Sequence, residues 1–151
     1  MSLVLRPVAR HDLETVARIH AQCFPDDAWD VAALESVLAM AGAQSLLAEE
    51  GRDVIGLLFA TVVREEAEIL TFGVVPRWQR RGVARALLSG FYAHARALGA
   101  SRVVLEVAAD NAAALALYEA EEFRTVGLRH AYYQRGGGAA VDAWLLRRAL
   151  D

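Results

Sequence analysis

The sequence has no lysine, one cysteine and no long hydrophobic run. A single thiol, Cys23, cannot form a disulfide within the chain, so we expect a reducing, cytoplasmic location. No apolar stretch approaches the roughly 18–20 residues that a membrane helix needs, and the first residues lack the pattern of a secretion signal. We therefore expect no membrane partner and no leader peptide. Cys23 and the four histidines are scattered without metal-ligand spacing, which predicts no metal site.

Charge is distributed unevenly along the chain. The net charge of −3 argues against nucleic acid as the main partner. Residues 1–68 hold five arginines and twelve acidic residues, a net of −7, whereas residues 69–151 hold eleven arginines and seven acidic residues, a net of +4. This split indicates two functional surfaces, one for an anion and one for a cation, with ordinary surface charge as the alternative.

The periodicity of apolar residues predicts an α/β protein with one domain, residues 1–151. Strands are predicted over residues 3–7, 44–49, 54–63, 68–75, 102–107, 125–132 and 141–148, and helices over residues 12–24, 30–40, 82–98 and 111–119. Asp12 and Asp30 are the predicted N-caps of the first two helices, and the glycines at 136–138 join the last two strands. The order β-α-α-β-β-β-α-β-α-β-β indicates a partly parallel sheet with helices on both faces.

The segment from Val74 to Ala84 contains the clearest chemical pattern. A strand ends, the chain turns at Pro76, and a helix begins at Gly82. Arginines 77, 80, 81 and 85 surround this turn with no acidic residue between them. A helix N-terminus offers unpaired N–H groups and a partial positive charge, so the segment is typical of a phosphate cradle. The alternative is a solvated basic helix start. Neither a Walker A loop nor a GxGxxG fingerprint is present.

Three further residues are candidates for chemistry. Glu106 interrupts an apolar strand, and alternation places it on the face opposite Leu105 and Val107. It is either a solvent-facing side chain or a general base in a partly dry cleft. Asn111 and Tyr118 are seven residues apart, which places them on nearly the same face of a helix. Taken alone, Asn111 is typical of an N-cap and Tyr118 of core packing.

Gln79, Gly82 and Ala84 have the spacing of a Q/R-x-x-G-x-G/A motif, and with it the chain resembles the GCN5-related N-acetyltransferase (GNAT) family. The element order also resembles that family over essentially the whole chain. The resemblance implies a mixed sheet of about seven strands with four helices, and acetyl-CoA as cosubstrate with no metal. It implies that this loop binds the CoA pyrophosphate and that the preceding strand is bulged and pairs with the pantetheine arm. The implied cofactor-binding residues are Phe72, Gly73, Val74, Gln79, Arg80, Arg81, Gly82, Val83, Ala84, Arg85 and Asn111. Glycine in mid-strand also permits a bulge or a close backbone approach by itself.

Residues 105–119 resemble one branch of that family, which acetylates the N-terminal alanine of a ribosomal protein. By position, the resemblance implies that Glu106 accepts the proton of the amine and Tyr118 protonates the leaving CoA thiolate. Residues 129–133 and 141–143 resemble the hairpin that helps hold the peptide in that branch. The implied acceptor-binding residues are Trp29, Tyr132 and Tyr133.

The sequence departs from that branch at three places. Glu122 stands where glycine is usual, Gln134 follows the tyrosine pair where proline is frequent, and residues 24–30 lack the second proline of a Phe-Pro-x-Pro-Trp stretch. The last two lie where substrate is held, so other functions stay open. They are acetylation of a small amine such as a polyamine, amino acid or aminoglycoside, acetylation of aminoacyl-tRNA, and CoA binding without catalysis. Cys23 as an acyl carrier is a competing mechanism, although only His20 stands near it in sequence.

Overall fold

A computed structural model describes residues 2–134 and 140–151 of the chain. The strands are β1 (Leu3–Arg6), β2 (Ala43–Glu50), β3 (Asp53–Val63), β4 (Glu66–Val74), β5 (Arg102–Ala108), β6 (Arg124–Gln134) and β7 (Ala140–Ala149). The α-helices are α1 (Leu13–Cys23), α2 (Val31–Leu38), α3 (Val83–Ala97) and α4 (Ala112–Ala120). This order confirms the predicted α/β architecture. The glycines at 136–138, predicted to join the last two strands, lie outside the described residues.

The strands form one mixed sheet in the order β1-β2-β3-β4-β5-β7-β6. Strands β1 to β4 are an antiparallel meander, β4 and β5 are parallel, and α3 makes the crossover that a parallel pair requires. The helices lie on both faces. Gly56 of β3 pairs with Val74 of β4, so Gly56 and Gly73 face opposite sides of the sheet. A Cβ added at Gly56 would contact α3, whereas a Cβ added at Gly73 would contact α1.

One of the two predicted helix caps is wrong. Asp30 accepts a hydrogen bond from the Ala33 N–H at 2.8 Å, as predicted for the cap of α2. Asp12 makes no side-chain cap bond to α1. Its carboxylate instead accepts both Nη groups of Arg6 at 2.8 Å and the Ala9 N–H. The bidentate, charge-assisted pair is stronger than a neutral cap bond, and it lowers the pKa of Asp12 to about 2.

The bulge in β4 lies earlier than the resemblance implied. The register with β3 slips where Phe59 faces Thr71 and Ala60 faces Ile69, so the extra residue is Leu70. Gly73 serves the other expected purpose, close approach, because a Cβ there would lie 3.1 Å from both Cβ and Sγ of Cys23. The end of α1 therefore packs directly on β4.

Among the described residues, no helix is both long and apolar enough to cross a bilayer.

Candidate active site

A cleft opens where two parallel strands separate. Strands β4 and β5 pair from Glu66 with Arg102 to Ile69 with Leu105. Beyond that point β4 stays paired with β3, and β5 stays paired with β7, so each strand follows its own half of the sheet. The gap is a cleft of about 210 Å³. Side chains from α1, the α1–α2 loop, β4, β5, α4 and β6 line it, among them His20, Trp29, Thr71, Glu106, Tyr118 and Tyr133.

The predicted phosphate cradle lies beside the end of β4. The chain leaves β4 through a 3₁₀ turn at Pro76–Trp78, and the Gln79 side-chain amide donates to the Val74 carbonyl at 3.1 Å. Gly82 then adopts φ +84° and begins α3 with no side-chain cap. The first N–H groups of α3 therefore face outward without an intrahelical partner, as an anion site requires.

The arginines around this cradle are exposed and differ in their contacts. The Arg81 guanidinium stacks 5.0 Å from the Trp78 ring centroid. Arg80 has φ +63°, which turns the chain into the helix. Arg85 lies on the first turn of α3, with its Nε 4.0 Å from a carboxylate oxygen of Glu121. Arg80 and Arg81 thus lie in the loop before α3, whereas Arg85 lies on the helix and faces the end of α4.

Glu106 projects into the cleft from β5, on the face opposite to buried Leu105 and Val107, as the alternation predicted. Its side chain is 20% exposed, and its Oε1 lies 3.2 Å from Nε of Arg129 on β6. Glu68 on β4 is a second carboxylate near it. Burial raises the pKa of Glu68, and the negative charge of Glu106 raises it further. Glu106 therefore combines access to the cleft with a cationic partner.

Tyr118 is buried in α4, between the rings of Phe72 and Phe123 at centroid distances of 6.3 and 5.3 Å. Burial raises the pKa of its phenol, which therefore stays protonated near neutral pH. A Schellman motif ends the helix. The Phe123 N–H donates to the Tyr118 carbonyl at 2.9 Å, and the Glu122 N–H donates to Glu119 at 3.0 Å. Glu122 takes φ +68° there, so glutamate fills a position that favours glycine.

Asn111 is the N-cap of α4, where its side-chain oxygen accepts the Ala114 N–H at 3.1 Å. It also lines the cleft. The oxygen of this amide is thus engaged in capping, which leaves its NH₂ group as the donor for a ligand.

The three predicted acceptor residues are not equally placed. Trp29 and Tyr133 line the cleft, whereas Tyr132 does not and is 49% exposed. The Tyr132 ring lies 5.3 Å from the Arg129 guanidinium. The register of β6 shifts between Arg129 and Tyr133, and Tyr132 lies within this stretch. Ala131 there has φ +52°, and its N–H donates to the Asp142 carboxylate at 2.8 Å. This bulge accompanies the placement of Tyr133 at the cleft.

Sequence reasoning missed a buried polar pair at the floor of the cleft, His20 and Thr71. The His20 Nε2 lies 2.8 Å from the Thr71 hydroxyl, and its Nδ1 accepts the Trp29 N–H at 3.1 Å. A histidine on the apolar face of α1 was the available signal, but its partner is 51 residues away. Both ring nitrogens bond away from Cys23, and burial raises the pKa of that thiol to about 11. These contacts engage both nitrogens of the histidine nearest to Cys23 in the sequence, which argues against an acyl-carrier role.

Within residues 2–134 and 140–151, no cluster of three or more histidine, cysteine or acidic side chains has the arrangement of a metal site. The titratable groups that line the cleft are instead two carboxylates, two phenols and an imidazole. This set can move protons between a substrate and the protein.

Comparisons with known proteins agree with this geometry. The model of the acetyltransferase (GNAT) family matches residues 13–123. The chain is 38% identical over 148 residues to N-alpha-acetyltransferase RimI of Mycobacterium tuberculosis, covering 93% of this chain and 89% of that protein. The crystal structure of the ribosomal-protein-S18-alanine N-acetyltransferase from Escherichia coli superposes with a TM-score of 0.91 at 25% identity, covering 99% of this chain and 95% of that one. Arabidopsis thaliana NAA60 in complex with acetyl-CoA superposes with a TM-score of 0.85 at 25% identity and covers 99% of both chains.

The chain therefore belongs to the GNAT family of N-acetyltransferases. The family and the fold implied by the loop motif are both confirmed. The match to RimI spans nearly the full length of both proteins.

Proposed function

We propose that the protein transfers an acetyl group from acetyl-CoA to the N-terminal α-amine of a protein, with a ribosomal protein beginning with alanine as the favoured acceptor. The observation that carries this proposal is the similarity to RimI over nearly the whole of both chains. The E. coli structure, which is named for alanine of ribosomal protein S18, supports the same class of acceptor.

The start of α3 is suited to hold the pyrophosphate of acetyl-CoA. Gly82 takes φ +84° with no atom within 4 Å of where its Cβ would stand, so a phosphate can approach the backbone closely. Uncapped N–H groups and the exposed Arg80 and Arg81 supply positive charge. Phe72, Gly73 and Val74 lie beyond the last pair with β5. The Val75 N–H donates to the Ile55 carbonyl of β3, so by alternation along the strand the main-chain groups of Phe72 and Val74 point away from β3, toward the gap. They fit the pantetheine arm, and their N–H groups would stabilise the developing oxyanion.

Glu106 would act as the general base. An α-amine has a pKa of ~7.7–8.0 and is mostly protonated at neutral pH, so it must lose a proton before it attacks. The Glu106 carboxylate accepts that proton, directly or through a water. The neutral amine then attacks the thioester carbonyl, the C–S bond breaks, and the CoA thiolate leaves. Tyr118 keeps its phenol proton because it is buried, and it donates that proton to the thiolate.

Mass spectrometry of acetyl transfer tests the reaction. The protein is mixed with acetyl-CoA and a basic peptide that begins with alanine, beside the same peptide with a blocked N-terminus and a set of polyamines. We expect the mass gain of one acetyl group on the free-amine peptide alone. Acetylation of polyamines alone would assign the protein to the small-amine enzymes of the family. Binding of acetyl-CoA without turnover of any amine would contradict catalysis.

Glu106→Gln tests the base. We expect kcat/KM for the peptide to fall roughly 10²–10⁴-fold at pH 7, as loss of a general base does. The loss should shrink by about tenfold at pH 9, because the α-amine is then largely neutral. Glu66→Gln is the matched control, because Glu66 lies on the neighbouring strand outside the cleft and pairs with Arg102 at 3.1 Å. A loss that is equal at both pH values would contradict the assigned role.

Tyr118→Phe tests the acid. The variant keeps the ring between Phe72 and Phe123 and removes only the hydroxyl, so we expect kcat to fall roughly 10²-fold or more while the Kd for acetyl-CoA stays unchanged. Tyr92→Phe is the control. Tyr92 is an equally buried tyrosine whose hydroxyl donates to Glu121 outside the cleft, at 3.1 Å. Equal activity of the two variants would refute the assignment of Tyr118.

A further inference from the structure

The floor of the cleft holds a histidine that the proposed chemistry does not use. His20 is 1% exposed and lies between the rings of Phe24 and Trp29, at centroid distances of 4.7 and 5.3 Å. Burial lowers its pKa to about 4, so the ring is neutral near pH 7. A neutral imidazole carries one proton, and its other nitrogen accepts a hydrogen bond.

The main chain decides which nitrogen carries that proton. The Trp29 N–H points at Nδ1 from 3.1 Å, and an amide N–H can only donate. Nδ1 is therefore the acceptor, and the proton is on Nε2. Since Nε2 lies 2.8 Å from the Thr71 hydroxyl oxygen, His20 donates and Thr71 accepts.

This arrangement leaves the proton of the Thr71 hydroxyl uncommitted. Within residues 2–134 and 140–151, His20 is the only hydrogen-bond partner of that hydroxyl. Thr71 is only 8% exposed, and it lines the same cleft as Glu106 and Tyr118. A buried hydroxyl with an unused proton is a hydrogen-bond donor directed at whatever fills the cleft.

We propose that His20 is a positioning residue that makes the Thr71 hydroxyl a donor to the carbonyl oxygen of the first residue of the acceptor. This inference rests on the proposed function. An α-amino acyl group carries a carbonyl next to the carbon that bears the amine, whereas a simple alkyl amine or a polyamine has no oxygen there. Glu106 accepts from the amine and Thr71 donates to the carbonyl. The two contacts select a protein N-terminus over a simple amine.

Kinetics of Thr71 variants test the donor. Thr71→Val removes the hydroxyl at nearly constant shape, and we expect it to raise the peptide KM about tenfold, with kcat and the acetyl-CoA KM near those of wild type. Thr71→Ser keeps the hydroxyl and should restore the peptide KM. Thr61→Val is the matched control, because Thr61 is an equally buried threonine on β3 that does not line the cleft. If the serine variant behaves like the valine variant, or if the acetyl-CoA KM rises equally, the inference is wrong.

Two measurements need no turnover, so they separate this inference from the proposed function. Alaninamide carries a carboxamide where isopropylamine carries a methyl group. At a pH where both amines are protonated, NMR titration should show about tenfold tighter binding of alaninamide to wild type, with the difference lost in Thr71→Val. Imidazole ¹⁵N spectra should show His20 as the Nε2–H tautomer and neutral down to about pH 5. An Nδ1–H tautomer, or equal binding of the two amines, would overturn the inference even if peptides are acetylated. If peptides are not acetylated, both measurements still decide it.

Discussion

Glu122 closes α4 in a backbone conformation that costs a glutamate free energy, and its replacement by glycine should stabilise the protein. The residue has φ +68° at the turn of the Schellman motif, next to the bond from the Phe123 N–H to the Tyr118 carbonyl. A side chain with a Cβ loses about 1–2 kcal/mol in the left-handed region, and glycine does not. Glycine in turn adds about 0.4–1 kcal/mol of conformational entropy to the unfolded chain.

The difference sets the expected size of the effect. We expect Glu122→Gly to raise the free energy of unfolding by about 0.5–1 kcal/mol, which corresponds to roughly 1–4 °C in Tm for a chain of this length. Denaturant titration and a thermal melt measure both quantities. The hydrogen bonds that end the helix join main-chain groups, so the same variant should keep them.

Glu122→Ala separates the backbone from the side chain. Alanine removes the carboxylate but keeps the Cβ, so we expect its stability to stay within about 0.5 kcal/mol of wild type. If alanine stabilises the protein as much as glycine does, the cost lies in the charge of Glu122 beside Glu121 and not in its φ. That result would refute the conformational argument.

Two other predictions concern stability. Gly42→Ala should cost more than about 3 kcal/mol, because at φ +74° a Cβ there would clash with the Val62 carbonyl oxygen. Gly51→Ala should cost only about 1 kcal/mol, because Gly51 has φ +61° but no atom lies within 4 Å of a Cβ there. Similar losses in denaturant titrations would contradict the steric reasoning. The Asp12 carboxylate has its pKa lowered from 3.8 to about 2 by Arg6, so its stabilising contribution of about 1–2 kcal/mol is complete above pH ~4 and is lost as the pH falls toward 2. Asp12→Asn should be less stable at pH 6 and lose less on acidification, which urea titrations at several pH values would measure.

Elements with local determinants could be predicted from the sequence. The Asp30 cap, the start of α3 at Gly82 and the alternation that exposes Glu106 all depend on residues a few positions apart. The prediction that Asp12 caps α1 was wrong because its carboxylate binds Arg6 instead. Arg6 also bonds Glu49, so this network joins three separate segments of the chain. A residue's local preference for capping does not reveal such a partner.

The bulge and the left-handed turn show a second limit. The register slip at Leu70 is a property of how β3 and β4 pair over their whole length, so a glycine three residues away was a poor guide. At Glu122 the local preference for glycine is overridden by the helix end, where two main-chain hydrogen bonds and the contact between Tyr118 and Phe123 determine the backbone. Together these contacts, worth a few kcal/mol, outweigh a conformational preference of about one.

The two halves of the site differ in how they are encoded. Apart from Asn111, the candidate cofactor half lies within residues 72–85, which are contiguous, so one motif was enough to predict most of it. The candidate acceptor half is assembled across the separation of β4 and β5, where His20 meets Thr71 across 51 residues and Glu106 meets Arg129 from another strand. Each contact there depends on a partner distant in sequence. Substitutions near Trp29 or Tyr133 can therefore change the acceptor without altering the loop that holds the acetyl donor. For that reason, variants of Thr71 and His20 should report on acceptor choice, whereas variants of the Gly82 loop should report on acetyl-CoA binding.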